Sequence, residues 1–506
     1  MTNANALPEF QHIRDALDIP RDFAPEVLAE AEAVAHRDPL SAGLSDWQGI
    51  PFVTIDPPGS RDLDQAFFAK RESEGYVVQY AIDDIGFFVD RGSLIEQAAW
   101  QRGLTLYSPD IRTPLYPPLL SEEAASLLPD VARPAIVFTF TLNSQAEVES
   151  CTLTHAVIRS RAKLAYPEVM DHLDAERTVP GSGSLAEHEW SDALALMEEI
   201  GRKREQLEIK RGGINLRIPS QQVERWSTAI HGYRLAFEEA SAVEGWNAQI
   251  SLMTGMAAAQ LMLKDKVGLL RSLYPPRPER VEMLRLTALA LQVPWPENRA
   301  YDDFIRSLDP KQPMHAVMLH QAAKVTGGAR YVVFENEKPV NSLHSAIASH
   351  YAHVTAPLRR LADRYVLDLL LHLAEGKTPS AEMMETLRKL PLVMSDADRL
   401  SRQLESAIVD YAEARLMEGH EGKLFSAIVI GLRQEGIIVQ ITDPPIRTLI
   451  PLASLSPPPP ESQVQLSPDG AMLTVAEKQF SLGQSLELRL IAANTSARSL
   501  SFSIES

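Results

Sequence analysis

Apolar positions along the chain change their period twice. Residues 1–46 read as a short, mostly helical stretch, with Asp22 as a candidate N-cap before 23–35, where Ala, Val and Leu alternate with Glu in an amphipathic pattern. From Ile50 the texture becomes that of strands: 52–55, 77–82, 135–142 and 152–159 are rich in β-branched and aromatic residues and are separated by turns. Apolar residues at three- and four-residue spacing predict helices over 94–102, 236–263 and 365–374. Past Lys423 short strands return, at 425–430, 437–441, 449–452, 472–475, 485–491 and 499–504, with Gly436 as punctuation. Five or six short strands in about 80 residues suggest a small Greek-key barrel of the OB type. The chain is therefore expected to be α+β, with a helical arm (1–46), a mixed α/β body (47–420) and an all-β module (421–506). The Pro457–Pro460 run falls between two strands and reads as a rigid loop, and no internal repeat is visible.

Composition narrows the classes. With 506 residues, 45% of them hydrophobic, the chain is long enough for a large core and a satellite domain. The single cysteine, Cys151, excludes an intramolecular disulfide framework and a cysteine-based zinc cluster; it suits a reducing compartment and reads as a small buried hydrophobe, not a nucleophile. The first twenty residues lack the charged and apolar regions of a signal peptide, and no run approaches the ~20 apolar residues of a membrane span, so a cytoplasmic, non-membrane protein is expected. A net charge of −18 argues against a protein that coats duplex nucleic acid. It leaves room for a narrow channel lined with arginines inside an acidic exterior.

The sharpest chemical feature is the segment from Thr54 to Gln65, TIDPPGSRDLDQ, in which a strand delivers Asp56 into a Pro-Pro-Gly turn and Asp62 and Asp64 return two residues apart. In an extended segment that spacing puts both on one face. Three converging carboxylates repel one another and stay ionised near neutral pH only when cations screen them. Oxygen ligands without Cys or His favour magnesium or manganese over zinc, and such ions activate water and stabilise a leaving oxygen in phosphodiester cleavage. For an arbitrary Asp-x-Asp a solvated acidic loop is the commoner case, and the motif alone does not decide. An EF-hand loop would need a Gly and a terminal Glu that are absent.

The segment resembles the signature of the ribonuclease II and ribonuclease R (RNB) family, in which a Thr-Ile-Asp strand leads into a four-aspartate cluster. Further matches follow in order: Leu104-Thr-Leu-Tyr-Ser-Pro109, Tyr116-Pro117, Leu120-Ser-Glu122, Arg133-Pro134, Val243-Glu244, the segment from Tyr351 to Asp363 (YAHVTAPLRRLAD), and Glu405 with Asp410 and Tyr411. The resemblance covers roughly residues 47–506 and implies a magnesium-dependent exonuclease, with manganese as the other metal option, that degrades single-stranded RNA processively from the 3′ end to nucleoside 5′-monophosphates, with no obligate protein partner. It implies that Asp56, Asp62 and Asp64 bind the metal, with Asp64 nearest the attacking water and Gln65 at the fourth position. Arg359 would hold the scissile phosphate, Tyr107 would pack on the terminal nucleotide, Thr355 and Arg360 would contact RNA, and Glu405 would lie near the product end. The C-terminal barrel would be the family's ribosomal-protein-type OB module. His344, His350 and His353 read as packing or RNA-proximal groups and not as zinc ligands, with no cysteine nearby.

Several departures stand out. Gln65 replaces the fourth aspartate, which predicts weaker magnesium binding or a different metal preference; Ala356 stands for Ser, Leu361 for Tyr and Gly245 for a second Glu. Leu216 stands where a base-stacking Phe is expected after Arg211-Gly-Gly, which predicts a weaker clamp on the bases. Residues 1–46 are too short for the family's N-terminal cold-shock barrels, which predicts a different response to structured RNA. A catalytically weakened, RNA-binding or regulatory family member is the main alternative, and a metal-dependent DNA nuclease a weaker one.

Overall fold

The computed structural model describes residues 8–214, 221–225, 233–237, 241–340, 342–441, 443–455 and 463–505. Leu216 and Pro457–Pro460 lie outside them. Two helices, α1 (Pro8–Ala16) and α2 (Pro25–Val34), precede the short strand β1 (Ser45–Asp46). The expected Asp22 cap is not used: α2 begins after Ala24, and Pro25 at its first position supplies a preset φ and has no N–H that needs an acceptor. Asp22 instead offers its carbonyl to Arg102 Nη2 at 3.0 Å.

Next come β2 (Phe52–Asp56), β3 (Gln65–Glu72) and β4 (Gly75–Asp83), helix α3 (Leu94–Arg102) and a small hairpin, β5 (Leu106–Tyr107) with β6 (Arg112–Thr113). The long strands β7 (Ala132–Leu142) and β8 (Val148–Ala165) complete the body sheet. Strand β3 was not foreseen, because Lys70, Arg71 and Glu72 interrupt its apolar pattern; it pairs with β4 through a turn in which Ser73 has φ +53°. The order β2–β3–β4–β7 is antiparallel throughout. Strand β8, 18 residues long, pairs antiparallel with β7 up to Arg159 and parallel with β2 from Ser160 to Ala165. One strand thus joins both ends of the sheet and closes it into a ring, leaving no open edge between β2 and β7. Alternate residues pack on its two faces. On one, Ala66, Ala81, Ala135 and Ala156 meet Phe52, Val137 and Ile158 in a small cluster, and on the other Phe67, Tyr80, Ile82 and Phe138 join the main core.

Helices α4 (Tyr166–Thr178), α5 (Ser191–Lys210) and α6 (Ala242–Asp265) follow, with the hairpin β9 (Gln221–Arg225) and β10 (Tyr233–Phe237) between the last two. The helix expected over 236–263 therefore starts later than its apolar pattern suggests. A capping box, Ser241 Oγ accepting from the Glu244 amide at 3.1 Å and the Glu244 carboxylate facing the Ser241 amide, fixes its start. The chain continues through β11 (Val267–Ser272), α7 (Pro278–Ala290), α8 (Tyr301–Arg306), α9 (Pro313–Val325), β12 (Arg330–Glu335), α10 (Leu361–Ala374) and the 37-residue α11 (Ala381–Met417). Helix α11 was not expected. Pro391 sits inside it, yet Leu387, Leu390 and Met394 are fully buried around that position, and their packing offsets the missing hydrogen bond.

The C-terminal module is all-β, as expected. Strands β13 (Leu424–Arg433), β14 (Gly436–Ile441), β15 (Ile446–Pro451), β19 (Ser485–Asn494) and β20 (Ser499–Ile504) form one sheet, and β16 (Val464–Leu466), β17 (Met472–Val475) and β18 (Lys478–Ser481) a second. The very short β16 and β18 raise the strand number above the five or six predicted.

Most of the buried side chains fall into two large cores. The ring, α4–α6, α10 and the first part of α11 share one core. The second joins Phe10 and Ile13 of α1 and residues of α7–α9 to the end of α11 and the C-terminal strands. Among the described residues no helix is long and apolar enough to cross a membrane.

Candidate active site

The acidic cluster forms where β2 ends. After Asp56 the chain turns through Pro57-Pro58-Gly59, and Gly59 adopts φ +84°, open to glycine at little cost. On the return Leu63 is fully buried among the ring's small residues; its amide donates to Ser126 Oγ at 3.0 Å. That anchoring fixes the alternation, so Asp62 and Asp64 on either side of Leu63 meet charged partners.

Asp64 is 2% exposed. Its Oδ1 accepts from the Leu358 amide at 2.8 Å and its Oδ2 from Arg359 Nε at 2.6 Å. The second arginine of the pair turns elsewhere: Asp363, in the first turn of α10, takes Arg360 Nη2 at 2.7 Å and the Ala356 amide at 2.9 Å. Asp363 thereby folds the loop before α10 into a shape that aims Arg359 at Asp64 and leaves Arg360 tied down. Thr355 is buried; its hydroxyl pairs with Ser251 Oγ on α6 at 2.8 Å and its carbonyl accepts from Gln65 Nε2. Gln65 Oε1 accepts from the Tyr80 hydroxyl at 3.0 Å. The Gln65 amide thus ties β3 to the arginine loop, with one oxygen lone pair remaining.

Asp62 lies against the β5–β6 hairpin. Arg112 bridges Asp62 and Glu122, the latter at 2.9 Å, and the Tyr107 hydroxyl donates to Asp62 Oδ2 at 3.3 Å while Tyr107 remains half-exposed. Glu405 is exposed on α11 beside buried Leu404, and no hydrogen bond or ion pair joins it to the cluster. Glu244, matched to the family's helix, acts as the cap described above.

Burial, with Asp64 and Asp62 nearby, pushes the Asp56 carboxyl up to about 7, against the pull of Arg359 and Lys163. Burial likewise raises Asp64 to about 6 although Arg359 opposes it. Asp56 Oδ2 is buried without a hydrogen-bond partner. A hard cation fits this donor chemistry, since an unpartnered carboxylate oxygen and neighbouring acids that resist ionisation are relieved by positive charge. Among the described residues, no three His, Cys, Asp or Glu side chains are already gathered to hold an ion. Arg359 and Arg112 occupy oxygens of Asp64 and Asp62 that would have to turn toward one.

Several contributors escaped the sequence reading. Asp83, at the end of β4, is fully buried, makes no hydrogen bond of ordinary geometry through either oxygen, and donates its amide to the Asp64 carbonyl at 2.9 Å. Its position just past an expected strand was a usable signal. Arg112, Tyr80 and Ser251 carried none beyond proximity to matched motifs, whereas Asp363 ends a matched motif but had no role assigned to it. Two of the three histidines are engaged locally, His353 Nδ1 with the Tyr331 hydroxyl at 2.7 Å and His350 Nδ1 with Ser342 Oγ at 3.1 Å, while His344 packs edge-on against Tyr351. Burial pushes the Cys151 thiol up to about 12, which disfavours the reactive thiolate.

The RNB domain model matches residues 44–376. Ribonuclease R of Aquifex aeolicus is 25% identical over 503 residues, covering 96% of this chain and 69% of that protein. Ribonuclease R of Mycoplasma pneumoniae is 25% identical, covering 89% and 62%, and that of Escherichia coli 24%, covering 92% and 57%. The chain thus spans between 57% and 69% of the length of these relatives. Among solved structures, Mycoplasma genitalium RNase R in complex with ribose-methylated single-stranded RNA superposes with a TM-score of 0.86 at 21% identity, covering 99% of this chain and 78% of that one. Yeast Ssd1, described as a pseudonuclease, superposes with a TM-score of 0.67 at 17% identity, covering 88% and 56%. With the domain match spanning most of the body and the ring fold shared with these structures, the chain belongs to the RNB domain family.

Proposed function

We propose that this chain is a hydrolytic 3′→5′ exoribonuclease that degrades single-stranded RNA processively to nucleoside 5′-monophosphates. The observation that carries the reading is the buried Asp64 carboxylate held against Arg359, near Asp56 with its unpartnered Oδ2. A scaffold with no chemistry to perform has no need for carboxylates that burial and mutual repulsion penalise. Asp56, Asp62 and Asp64, with the free lone pair of Gln65, would hold magnesium or manganese. When bound, such an ion supplies Lewis acidity and lowers the pKa of water.

The remaining roles belong to the chain. Arg359, fixed in charge and forked, would pass from Asp64 to the scissile phosphate and stabilise the charge that accumulates there. Tyr107, half-exposed and tethered at its hydroxyl, presents a ring face on which a terminal base can stack. Thr355 would act from its buried position through the backbone of its loop, and Arg360 through Asp363. Glu405 would contact RNA from the exposed face of α11.

The alternative is a family member with weakened catalysis that binds RNA. Gln65 favours it, since the cluster lacks one carboxylate, as does the similarity in fold to a pseudonuclease. Digestion of a 5′-labelled single-stranded RNA with magnesium, by native protein and by Asp64→Asn, separates the two. A descending ladder ending in a short oligomer and absent from the variant supports the exonuclease. Binding without cleavage by the native chain supports the alternative, and deoxyribose substitution at the 3′ end tests selection for RNA.

A further inference from the structure

Helix α1 reaches the site through a buried arginine. Arg14 Nη1 and Nη2 each lie 2.9 Å from the two carboxylate oxygens of Asp110, Nη1 also donates to Ser108 Oγ at 3.2 Å, and Gln11 Oε1 accepts from Nε and Nη2 at 3.3 Å. The Arg14 and Asp110 side chains are 2% and 0% exposed. Ser108 and Asp110 belong to the turn of the β5–β6 hairpin, whose Ser108 amide donates to the Ile111 carbonyl at 3.0 Å. The two strands of that hairpin carry Tyr107 and Arg112, and both side chains reach Asp62. The hairpin is therefore held at its turn by α1 and at its stem by the acidic cluster.

The Arg14–Asp110 contact does more than fill space. A hairpin with two residues per strand has too few ladder bonds to fix its own orientation. A fully desolvated ion pair is a poor means of stabilisation, because apolar residues of similar volume commonly do as well, whereas a bidentate guanidinium–carboxylate fork fixes geometry. Helix α1 is itself a firm base: Phe10 and Ile13 share a core with Leu106, Leu404 and Ile408, and Phe10 meets Tyr411 edge-on at 5.8 Å.

We infer that Arg14 is a positioning residue for the active site, through which the N-terminal helix sets the placement of Tyr107 and Arg112 against Asp62. The N-terminal arm is then a working part of the catalytic centre. The kinetic consequences rest on the exoribonuclease reading; the geometric one does not.

The test uses the full chain and two variants, Arg14→Met and the milder Arg14→Lys, which keeps the charge but loses the fork. Hydrogen exchange of the backbone amides over residues 106–113, without RNA, should accelerate about tenfold or more in Arg14→Lys while α6 amides keep their native rates. Unchanged exchange in that hairpin overturns the inference. In a double-mutant cycle with Tyr107→Ala, Arg14→Lys should lower kcat/KM on single-stranded RNA about fivefold in the native background and less than about twofold once Tyr107 is removed. Equal losses in both backgrounds also overturn it. If native protein neither binds nor cuts RNA, the proposed function fails, and the exchange measurement still decides the role of Arg14.

Discussion

Arg359 Nε donates to Asp64 Oδ2 at 2.6 Å while the adjacent Leu358 amide donates to Oδ1 at 2.8 Å, so neighbouring residues of one loop grip both arms of a single buried carboxylate. In this arrangement the arginine supplies the countercharge that Asp64 requires when buried. Asp64→Asn should reduce the rate of RNA degradation at least about a hundredfold with RNA affinity changed only a few-fold, because the amide keeps the volume and loses the charge. Arg359→Lys should retain part of the activity, since a point charge replaces the fork. Single-turnover digestion with a parallel binding titration checks both; degradation by Asp64→Asn at the native rate would remove the cluster from the chemistry.

Gln65 combines a missing charge with a structural tie. Gln65→Asp should shift the magnesium dependence of activity to lower concentration, because a carboxylate joins the acidic cluster. It should also destabilise the fold by about 1–3 kcal/mol, because the Thr355 carbonyl loses its donor and faces a carboxylate instead. Magnesium titrations and urea unfolding of both proteins test the two effects separately. Superimposable titrations would show that Gln65 does not limit metal binding.

Gly255 lets α6 approach the loop that leads to Arg359. A Cβ there would lie 2.2 Å from a Tyr351 ring carbon and 2.5 Å from the Ala352 carbonyl oxygen, and the Ala352 amide donates to the Gly255 carbonyl at 3.1 Å. Gly255→Ala should therefore cost about 1–3 kcal/mol of stability by overpacking, despite the better helix propensity of alanine. Chemical denaturation measures it, and a gain in stability would contradict the close approach.

His155 on β8 pairs through Nε2 with Asp84 Oδ2 at 2.8 Å. Burial alone would lower its pKa, but the Asp84 contact together with the nearby charges of Asp368 and Glu375 more than offsets this and leaves it above the usual 6.5. A histidine with a raised folded-state pKa contributes stability that is fully present below the unfolded value and is lost as pH rises through the folded value. Urea midpoints at about pH 6 and about pH 8 should differ more for native protein than for His155→Gln, apart from effects common to both. An equal pH response in the two proteins would rule out this linkage.

The sequence by itself determined what local pattern and local chemistry can encode. The strand ending at Asp56, its Pro-Pro-Gly turn, the Asp62–Asp64 alternation, helix α3, the mixed body and the all-β C-terminal module all follow from periodicity and turn residues close along the chain. Tertiary structure decided the rest, because the deciding contacts span hundreds of residues. The ring closes only because β8 is long enough to pair with β7 and then with β2. Asp64 meets Arg359 across 295 positions and Gln65 meets Thr355 across 290, while Arg14 meets Asp110 across 96. Helix α11 was hidden by Pro391, whose local preference is overridden by burial on both sides. A motif can name the charged residues of a site, but which of them neutralise one another depends on distances that only the folded chain sets.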